Sequence, residues 1–421
     1  MRYKSYSVYI FFKFCFSLIV SMATVLSLVY HLEIVGLNAF ELVLVGTVLE
    51  TSCFLLEIPT GIVADLYSRR LSVLIGVFLY GFGFLLEGSL PWFVTVLFAQ
   101  VIWGCGDTFI SGALEAWISS EEKNCSMDKI FLKGSQIGQL GGMLGIVIGT
   151  ILGNLDLRLP IIIAGLLSIV LGIVLIFIMP ETNFSPIQKR KESIFLDMLD
   201  LFNVNLSFIK ATPILITLLA ITFCGGLASE GFDRLSTAHF LNDSIIPSVG
   251  FLNDVTWFGF MSLLGSVLGI FCSQILIVSL EKRKTINRTS IVLLTNTGYI
   301  ISLILFALSK NFYFMLCTFL ITGLMRNLKE PIISAWMNEH VEDGLQATVF
   351  STNSQFDSFG QIIGGPIVGI VAKYFSISYG LIFTAILLLP TLFLVPIAGK
   401  IKKAWFHLKI DLNLQLKIDY Y

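Results

Sequence analysis

Long runs of apolar residues divide the chain, and short polar connections separate them. A helix needs about 20 apolar residues to cross the hydrocarbon core of a bilayer. By that measure the sequence predicts twelve membrane-spanning helices, at about 7–30, 38–60, 71–89, 92–118, 131–154, 159–180, 211–238, 255–279, 288–308, 311–337, 346–372 and 377–398. The runs are too long and continuous for barrel strands, and only helices or closed barrels satisfy their backbone in lipid. We therefore expect an all-α integral membrane fold.

The composition indicates that lipid is the natural solvent of this surface. Of the 421 residues 56% are apolar and 13% are charged, whereas soluble proteins carry about 25% charged residues. The net charge of −1 gives no sign of a nucleic-acid partner. The seven cysteines show no disulfide pattern, and the first apolar run has no cleavage site, so it is predicted to be an uncleaved span. We expect a monomer in the lipid bilayer, without cofactor or metal.

Lysine and arginine lie mostly on one side of the predicted membrane. With the N-terminus inside, 21 of the 27 fall on the inner side, four on the outer side and two within a span. Because such residues concentrate in cytoplasmic loops, both termini are predicted to be cytoplasmic. We expect a multi-pass protein of the plasma membrane, in a bacterium the inner membrane. The predicted parts are a six-helix bundle, a cytoplasmic central loop, a second six-helix bundle and a cytoplasmic tail, at 1–185, 186–210, 211–400 and 401–421.

The two halves of the chain are related in sequence. At a constant offset of 219 residues, Trp117 matches Trp336, and Ser135-Gln136 matches Ser354-Gln355. Further matches at the same offset are Gly104 with Gly323, Ala116 with Ala335, Phe131 with Phe350, Gly141 with Gly360 and Gly145 with Gly364. An even number of spans separates the copies, so they share one orientation. Parallel repeats of six spans are the layout of one large class of transporters.

The connection "GIVADLYSRR" between the second and third spans carries a recognisable motif. Gly61, Asp65, Arg69 and Arg70 follow the pattern G-x-x-x-D-x-x-G-R-R/K, with Ser68 in place of its second glycine. This stretch resembles motif A of the major facilitator superfamily. Within that family, "EIPTGIVADLYSRR" and "SEGFDRL" look similar to uncharacterised bacterial permeases related to drug exporters.

The resemblance implies twelve spans in two pseudo-symmetric bundles around a central cavity, and transport by alternating access. It also implies that Gly61, Asp65, Arg69 and Arg70 form a conformational latch on the cytoplasmic side. Asp65 could accept bonds from helix N-terminal amides and pair with an arginine. The alternative for the two arginines is that they only mark the cytoplasmic side.

Several charged residues lie within predicted spans, where insertion of each costs at least ~2.5–3.5 kcal/mol. The resemblance implies that spans 4, 7 and 10 line the cavity, and they carry Asp107, Glu115, Glu230, Asp233, Arg234, Arg326, Lys329 and Glu330. The spacing predicts two same-helix pairs, Glu230 with Arg234 and Arg326 with Glu330. Such pairs either neutralise one another or belong to a site. Asp107 and Arg326 occupy equivalent repeat positions, so we hypothesise that they face each other across the cavity and, with Asp233, contact substrate or carry protons.

The second span adds two carboxyl groups on one face, Glu50 and Glu57. Glu50 lies deep and has no partner on its own helix. A carboxyl group there is a candidate proton carrier. The alternative is a neutral glutamic acid that only bonds a neighbouring helix.

Glycines recur every four residues in the fifth span and crowd the eleventh. Small residues at that spacing let helices approach closely. The predicted packing positions are Gly141, Gly145, Gly149, Gly360, Gly364 and Pro366. Trp117 and Trp336 are expected to anchor at the membrane interface. The histidines show no metal spacing and are interpreted as surface or loop residues, at His31, His239, His340 and His407.

The sequence contains no P-loop, nucleophile elbow or metal-ligand motif, so neither an ATP-driven pump nor a membrane enzyme is expected. We predict secondary transport of a small molecule. Proton-coupled export of a drug-like or amphipathic metabolite is the leading interpretation. The alternatives are proton-coupled uptake of a small nutrient and a transport-inactive membrane sensor.

Overall fold

The computed structural model of the protein describes most of the chain, namely residues 4–122, 127–183, 209, 212–247, 253–282, 288–341 and 346–418. Within these ranges the side chains are described except at Asp65, Asp128 and residues 277–282, 346–348 and 402–418.

The described residues are almost entirely helical. The helices are α1 (Ser5–Thr24), α2 (Ser27–Tyr30), α3 (Ala39–Leu66), α4 (Arg69–Ser89), α5 (Phe93–Ile110), α6 (Ala113–Glu121), α7 (Met127–Gly153), α8 (Leu159–Ile178), α9 (Pro213–Asp243), α10 (Asp254–Lys282), α11 (Arg288–Leu308), α12 (Phe312–Asn338), α13 (Gln346–Tyr374) and α14 (Ile377–Ile418). Twelve of them have 18 residues or more, which confirms the predicted all-α class.

Ten segments of the described chain are long and apolar enough to cross a membrane. The helices α12 and α13 fall outside these ten. Both carry charged groups that line internal cavities, including Arg326, Lys329 and Asp357. These charged groups lower the mean hydropathy of the two helices, although each helix is long enough to span a membrane.

The helices pack as two bundles with matching internal contacts. In the N-terminal half α1 packs on α7, α4 on α5, and α4 on α8. In the C-terminal half the equivalent contacts join α9 to α13, α11 to α12, and α11 to α14. The halves meet where α3 contacts α13 and α7 contacts α10, which are again equivalent contacts. The sequence repeat is thus a structural repeat.

Two predicted spans are interrupted. The first breaks after α1, resumes as α2 and ends in a π-helical turn, His31–Val35, which Gly36 closes at φ 75°. The fourth breaks between α5 and α6, where Gly112 adopts φ 71°, a conformation that favours glycine. The predicted span over 92–118 corresponds to one membrane-capable segment, Phe93–Glu121, with a break inside it, and Glu115 belongs to the separate helix α6.

The glycine positions lie where helices approach most closely. A Cβ at Gly141 or Gly145 of α7 would overlap the backbone of Phe14 or Leu18 in α1, and one at Gly149 would lie 2.7 Å from the carbonyl oxygen of Met22. The same geometry recurs in the other half, where Gly360 and Gly364 of α13 lie against the α9 backbone. Pro366 lies inside α13.

Trp117 and Trp336 correct the sequence-based expectation for tryptophan. Both side chains are buried within the protein instead of lying at a membrane interface. Trp117 donates its indole N–H to the carbonyl oxygen of Pro180, at 2.6 Å. This contact ties α6 to the end of α8.

Most of the predicted central loop, 186–210, lies outside the described residues. The predicted tail from 401 continues α14 as helix up to Ile418.

Candidate functional site

A series of adjoining cavities runs between the two halves. A groove of about 1160 Å³ lies between α1 and α7 on one side and α10 and α12 on the other. The groove opens at the basic end of the bundle, which we define as the end that bears Arg69 and Arg70. A cavity of about 310 Å³ shares Ser21 and Ser262 with this groove. It also shares Thr24 and Asp233 with the next cavity. The series therefore reaches from the basic end to the middle of the protein.

The two innermost cavities carry most of the charge. The His31 cavity, of about 410 Å³, is lined by His31, Glu50, Glu87, Gln100, Trp103, Glu230, Asp233, Arg234 and Arg326, among others. The Lys329 cavity, of about 400 Å³, is lined by Glu50, Tyr299, Arg326, Lys329, Glu330, Asp357 and Gln361, among others. Together these linings hold six carboxyl groups against three basic groups, with the histidine counted as neutral. The middle of the protein is therefore acidic.

Two ion pairs join the basic groups to carboxylates. Arg234 Nε donates to Glu230 Oε2 at 3.2 Å, as the spacing predicts. Arg326 does not pair with Glu330 as predicted; its Nη1 lies 2.5 Å from Asp233 Oδ1 on α9. The predicted pair was wrong because a partner on a facing helix lay closer than the residue one turn along. Glu330 instead lines the Lys329 cavity.

Among the described residues Asp107 forms no ion pair with Arg326, and their placement across the cavity stays a prediction. The carboxylate of Asp107 accepts a hydrogen bond from the hydroxyl of Tyr80 in α4, at 2.8 Å. Glu115 lines the outer groove, where its carboxylate lies 3.5 Å from Lys13 Nζ. The structure therefore brings Glu230, Asp233, Arg234 and Arg326 together and leaves these two acidic residues outside that group.

Glu50 lies on the contact plane between the halves. The hydroxyl of Ser358 in α13 donates to its carboxylate at 3.2 Å. Asp357, the residue before Ser358, accepts a hydrogen bond from Gln361 at 2.9 Å. Lys329 is buried, with an ammonium group 6.0 Å from the ring centre of Tyr299. Within the described residues it forms no ion pair, although Glu330 and Asp357 line the same cavity.

A buried polar cluster of His31, Glu87 and Gln100 was missed by the sequence analysis. His31 Nε2 lies 2.8 Å from Glu87 Oε1, and both side chains are almost fully buried. Gln100 Nε2 donates to the other carboxylate oxygen of Glu87, at 3.1 Å. The interpretation of His31 and His239 as surface or loop residues was therefore wrong. The sequence signal was Glu87 itself, a carboxyl group near the end of an apolar span.

The motif between α3 and α4 makes its described contacts within the N-terminal half. Ser68 caps α4 through the amide of Leu71 and donates to Glu181, at 2.6 Å. Arg69 donates to the carbonyl oxygen of Ala116, at 2.9 Å, and Arg70 to that of Ile176. A Cβ at Gly61 would meet no atom within 4 Å. The Asp65 side chain lies outside the described residues.

The opposite end of the bundle is closed by direct contact between the halves. Asn154, at the end of α7, accepts from Asn253 at 2.6 Å and donates to Thr256 at 3.2 Å. Gly259 of α10 packs against Thr150 of α7. The cavities thus have their wide opening at the basic end.

Two halves of matching helix packing, a polar centre and an opening at one end are the layout of membrane transporters built from two parallel six-helix repeats. The family model described as Major Facilitator Superfamily matches residues 9–295. The chain belongs to this family, and it is a multi-pass membrane transporter, not an enzyme.

The comparisons agree on the fold. The chain is 25% identical over 385 residues to an uncharacterised MFS-type transporter, YxaM, of Bacillus subtilis (strain 168), covering 89% of this chain and 91% of that protein. A bacterial homologue of the human lysosomal transporter Spinster, inward-facing and unoccupied, superposes with a TM-score of 0.75 at 13% identity, over 95% and 98% of the two chains. A POT family transporter in complex with a thioalcohol-conjugated peptide gives 0.74 at 14% identity, over 94% and 96%.

Proposed function

We propose that this protein is a proton-coupled exporter of an amphipathic compound, with positively charged organic molecules as its preferred substrates. The observation that carries the proposal is the excess of carboxyl groups around the two innermost cavities. A buried excess of negative charge is stabilised by any cation that enters, whether a proton or an organic ammonium group. Because both compete for the same carboxylates, binding of one favours release of the other.

The route to these carboxylates supports an amphipathic substrate. The groove offers apolar side chains of α7 and α10 beside its polar ones, including Phe131, Leu132, Met143 and Met261. A flat apolar cation could lie against these side chains before its charged group reaches the inner cavities. Under the proposal both termini and the basic end face the cytoplasm, in the plasma membrane, so the substrate enters from inside the cell.

Glu50 is our candidate for the group that couples protons to the rocking of the halves. Its only described hydrogen bond crosses from α3 to α13. A proton on this carboxyl group removes a buried charge at the contact plane, which changes the energy of bringing the halves together. The ion pairs Glu230–Arg234 and Asp233–Arg326 lie in the same cavity and are proposed to respond to the incoming substrate.

The segment from Gly61 to Arg70 remains our candidate for the conformational latch. Its described contacts hold α4 to α6 and α8. We propose that it keeps these helices together as one unit while the halves rock. The two outlying carboxyl groups, Asp107 and Glu115, are proposed to act along the path and not at the central ion pairs.

The buried side chain of Lys329 supports a second candidate function, the uptake of a small polar nutrient. It is a buried ammonium group that forms no ion pair among the described residues, and it lines a cavity of about 400 Å³. A carboxylate of an imported solute would satisfy it.

The test is reconstitution of the purified protein into vesicles with an imposed pH gradient. A lipophilic cationic dye, sugars and organic acids are offered separately, and the movement of each is followed. Dye movement against its gradient, driven by protons, supports export. Accumulation of an organic acid or sugar alone supports uptake and contradicts the export proposal.

Glu50→Gln sharpens this test. We expect the variant to lose movement driven by the pH gradient while it still exchanges dye across the membrane without a gradient. The matched control is Glu33→Gln, because Glu33 is exposed in the π-helical turn. Equal losses in the two variants would remove Glu50 from the coupling role.

A further inference from the structure

The two halves of the protein place a histidine at the same point of the fold. His31 and His239 are each the 27th residue counted from the start of their span, at Ser5 or Pro213. Each ring contacts the third membrane span of its own half. His31 contacts Glu87 on α4, and His239 contacts Phe306 on α11. The repeat offset of 219 residues relates the two contacted positions, whereas the two histidines are 208 residues apart.

The surroundings of the two rings are chemically different. His239 Nε2 bonds the backbone oxygen of Phe306 at 2.9 Å, and its Nδ1 lies 2.8 Å from Asp243. Both nitrogens of His239 are therefore engaged. The position equivalent to Glu87 is Phe306, and the position equivalent to Gln100 is Phe319. The C-terminal half therefore has two aromatic rings in contact, with ring centres 5.9 Å apart, where the N-terminal half has polar groups.

His31, in contrast, has one nitrogen without a hydrogen-bond partner among the described residues. Its Nε2 faces Glu87 Oε1, and Gln100 Nε2 already donates to the second oxygen of that carboxylate. With Glu87 ionised, its carboxylate only accepts, so Nε2 of a neutral His31 ring carries the hydrogen and Nδ1 holds the free lone pair. Nδ1 of His31 and Oε1 of Gln100 are both buried and without a partner.

The charges that face this cluster come from both halves. In the N-terminal half they are Glu87 beside it and Glu50 across the cavity, while Asp156 and Arg158 act on the neighbouring Tyr30. From the C-terminal half, Glu230, Asp233, Arg234 and Arg326 line the same cavity. The ion pairs of that half leave its local charge balanced, whereas Glu87 with a neutral His31 carries a net negative charge.

We propose that His31, with Glu87 and Gln100, is a second proton-binding site, separate from Glu50 and confined to the N-terminal half. A proton that enters through the His31 cavity adds to Nδ1, and the Nε2–H bond to Glu87 persists. The product is an imidazolium–carboxylate pair of zero net charge, which removes the uncompensated charge of Glu87 from the low-dielectric centre. Loss of the proton to the other side restores the starting state.

This inference rests on the proposed proton coupling but has a test that does not depend on transport. The protein is labelled with ¹⁵N-histidine in lipid nanodiscs, and its histidine signals are assigned with the single variants His31→Gln, His239→Gln and His340→Gln. We expect the His31 signals to move with pH across the physiological range and those of His239 to stay fixed. Fixed His31 signals would overturn the proposal, whatever the transport result.

Transport supplies the second measurement. In vesicles with a trapped pH indicator, we expect His31→Gln and Glu87→Gln to lower proton movement coupled to the cationic dye by about 10-fold, a usual size for coupling between sites. Dye exchange without a pH gradient should persist. The control His340→Gln should couple normally, because His340 bonds the backbone of Trp336 and lines neither of the two innermost cavities.

The outcomes separate the two proposals. If wild-type protein moves dye without protons, the proposed function fails, and the labelled histidine still decides whether His31 binds a proton. If wild-type protein is coupled and both variants remain coupled, the His31 proposal fails alone. A variant that raises the dye concentration needed for half-maximal rate and keeps its coupling would make the cluster a substrate contact instead. Glu87→Gln preserves side-chain shape, so it serves if His31→Gln does not fold.

Discussion

The two ends of the contact plane between the halves are packed in opposite ways. At the closed end, polar side chains and glycines meet directly, as in the bonds of Asn154 to Asn253 and Thr256. Further in, Gly365 of α13 packs against Thr47, and Gly46 of α3 against Glu230. At the basic end, α1 and α7 stand apart from α10 and α12 around the groove of about 1160 Å³.

This difference in packing between the two ends indicates which contacts would have to break for the closed end to open. The closed end is held by small surfaces and hydrogen bonds, each of which contributes about 0.5–1.5 kcal/mol net. Such contacts can be broken without exposing a large apolar core. The closest backbone contacts of glycine lie within each half, where α7 packs on α1 and α13 on α9, and under the proposed function these contacts persist. The following changes test this contrast, from the largest expected effect to the smallest.

Substitution Gly46→Ala should have the largest effect. The added Cβ would overlap the carboxylate of Glu230 and lie 2.5 Å from Arg234 Nε, so this buried ion pair must shift before the halves can meet. Separating a buried pair costs about 3–5 kcal/mol. We expect transport to fall to background and the melting temperature to drop. Gly323→Ala is the control, because a Cβ there meets nothing within 4 Å. Equal losses in the two variants would show that the effect of Gly46→Ala does not come from its contact with Glu230 and Arg234.

A disulfide across the closed end should stop transport reversibly. Asn154 and Asn253 lie 2.6 Å apart between their side-chain atoms, so Asn154→Cys with Asn253→Cys should cross-link on mild oxidation in a background without the native cysteines. Transport should cease and return on reduction. The matched pair, Gln136→Cys with Gln274→Cys, lines opposite sides of the groove and should react slowly. Rapid cross-linking of the groove pair alone would reverse the assignment of open and closed ends.

Removal of the closed-end hydrogen bonds without a cross-link should have a moderate effect. Asn154→Ala loses the bonds to Asn253 and Thr256 but no packed core. A loss of about 1 kcal/mol shifts a two-state equilibrium about fivefold. We expect a thiol reagent from the closed side to label Ser236→Cys, in a cavity deeper than Asn154, a few-fold faster in this variant. An unchanged labelling rate would mean that other contacts hold this end.

Lys13→Gln should have the smallest effect. Lys13 lies 3.5 Å from Glu115 on the wall of the groove, and both side chains are about one-third exposed or more. Exposed ion pairs contribute about 0–1 kcal/mol, and this one lies within the N-terminal half. We expect transport rates within about twofold of wild type. A large loss would show that the open end, too, depends on individual charges.

The sequence predicted the helical class, the parallel repeat and the transporter family, because these follow from run lengths, positive charge and motif spacing. It predicted the Glu230–Arg234 pair because both residues lie on one helix. It did not predict that Arg326 would pair with Asp233, 93 positions away in the chain, since spacing along one helix cannot rank partners on another.

The breaks within two spans and the His31 cluster were also missed. Gly112 does not differ in sequence from a helix-packing glycine, and only its backbone conformation reveals the break. His31 has no charged residue at helical spacing, and its partners lie on α4 and α5. Glu87 was the one clue, because a carboxyl group near the end of an apolar span requires a partner.

The glycine contacts between α7 and α1 have a consequence for how the protein is made. Residues Phe14 and Leu18 of α1 receive their neighbours Gly141 and Gly145 only after more than a hundred further residues have been synthesised. This face of α1 must therefore remain beside lipid or the insertion machinery until α7 has been synthesised. A larger residue at either glycine should leave the nascent N-terminal half unassembled and exposed to quality-control proteolysis. The amount of protein in the membrane should then fall, independently of substrate or proton binding.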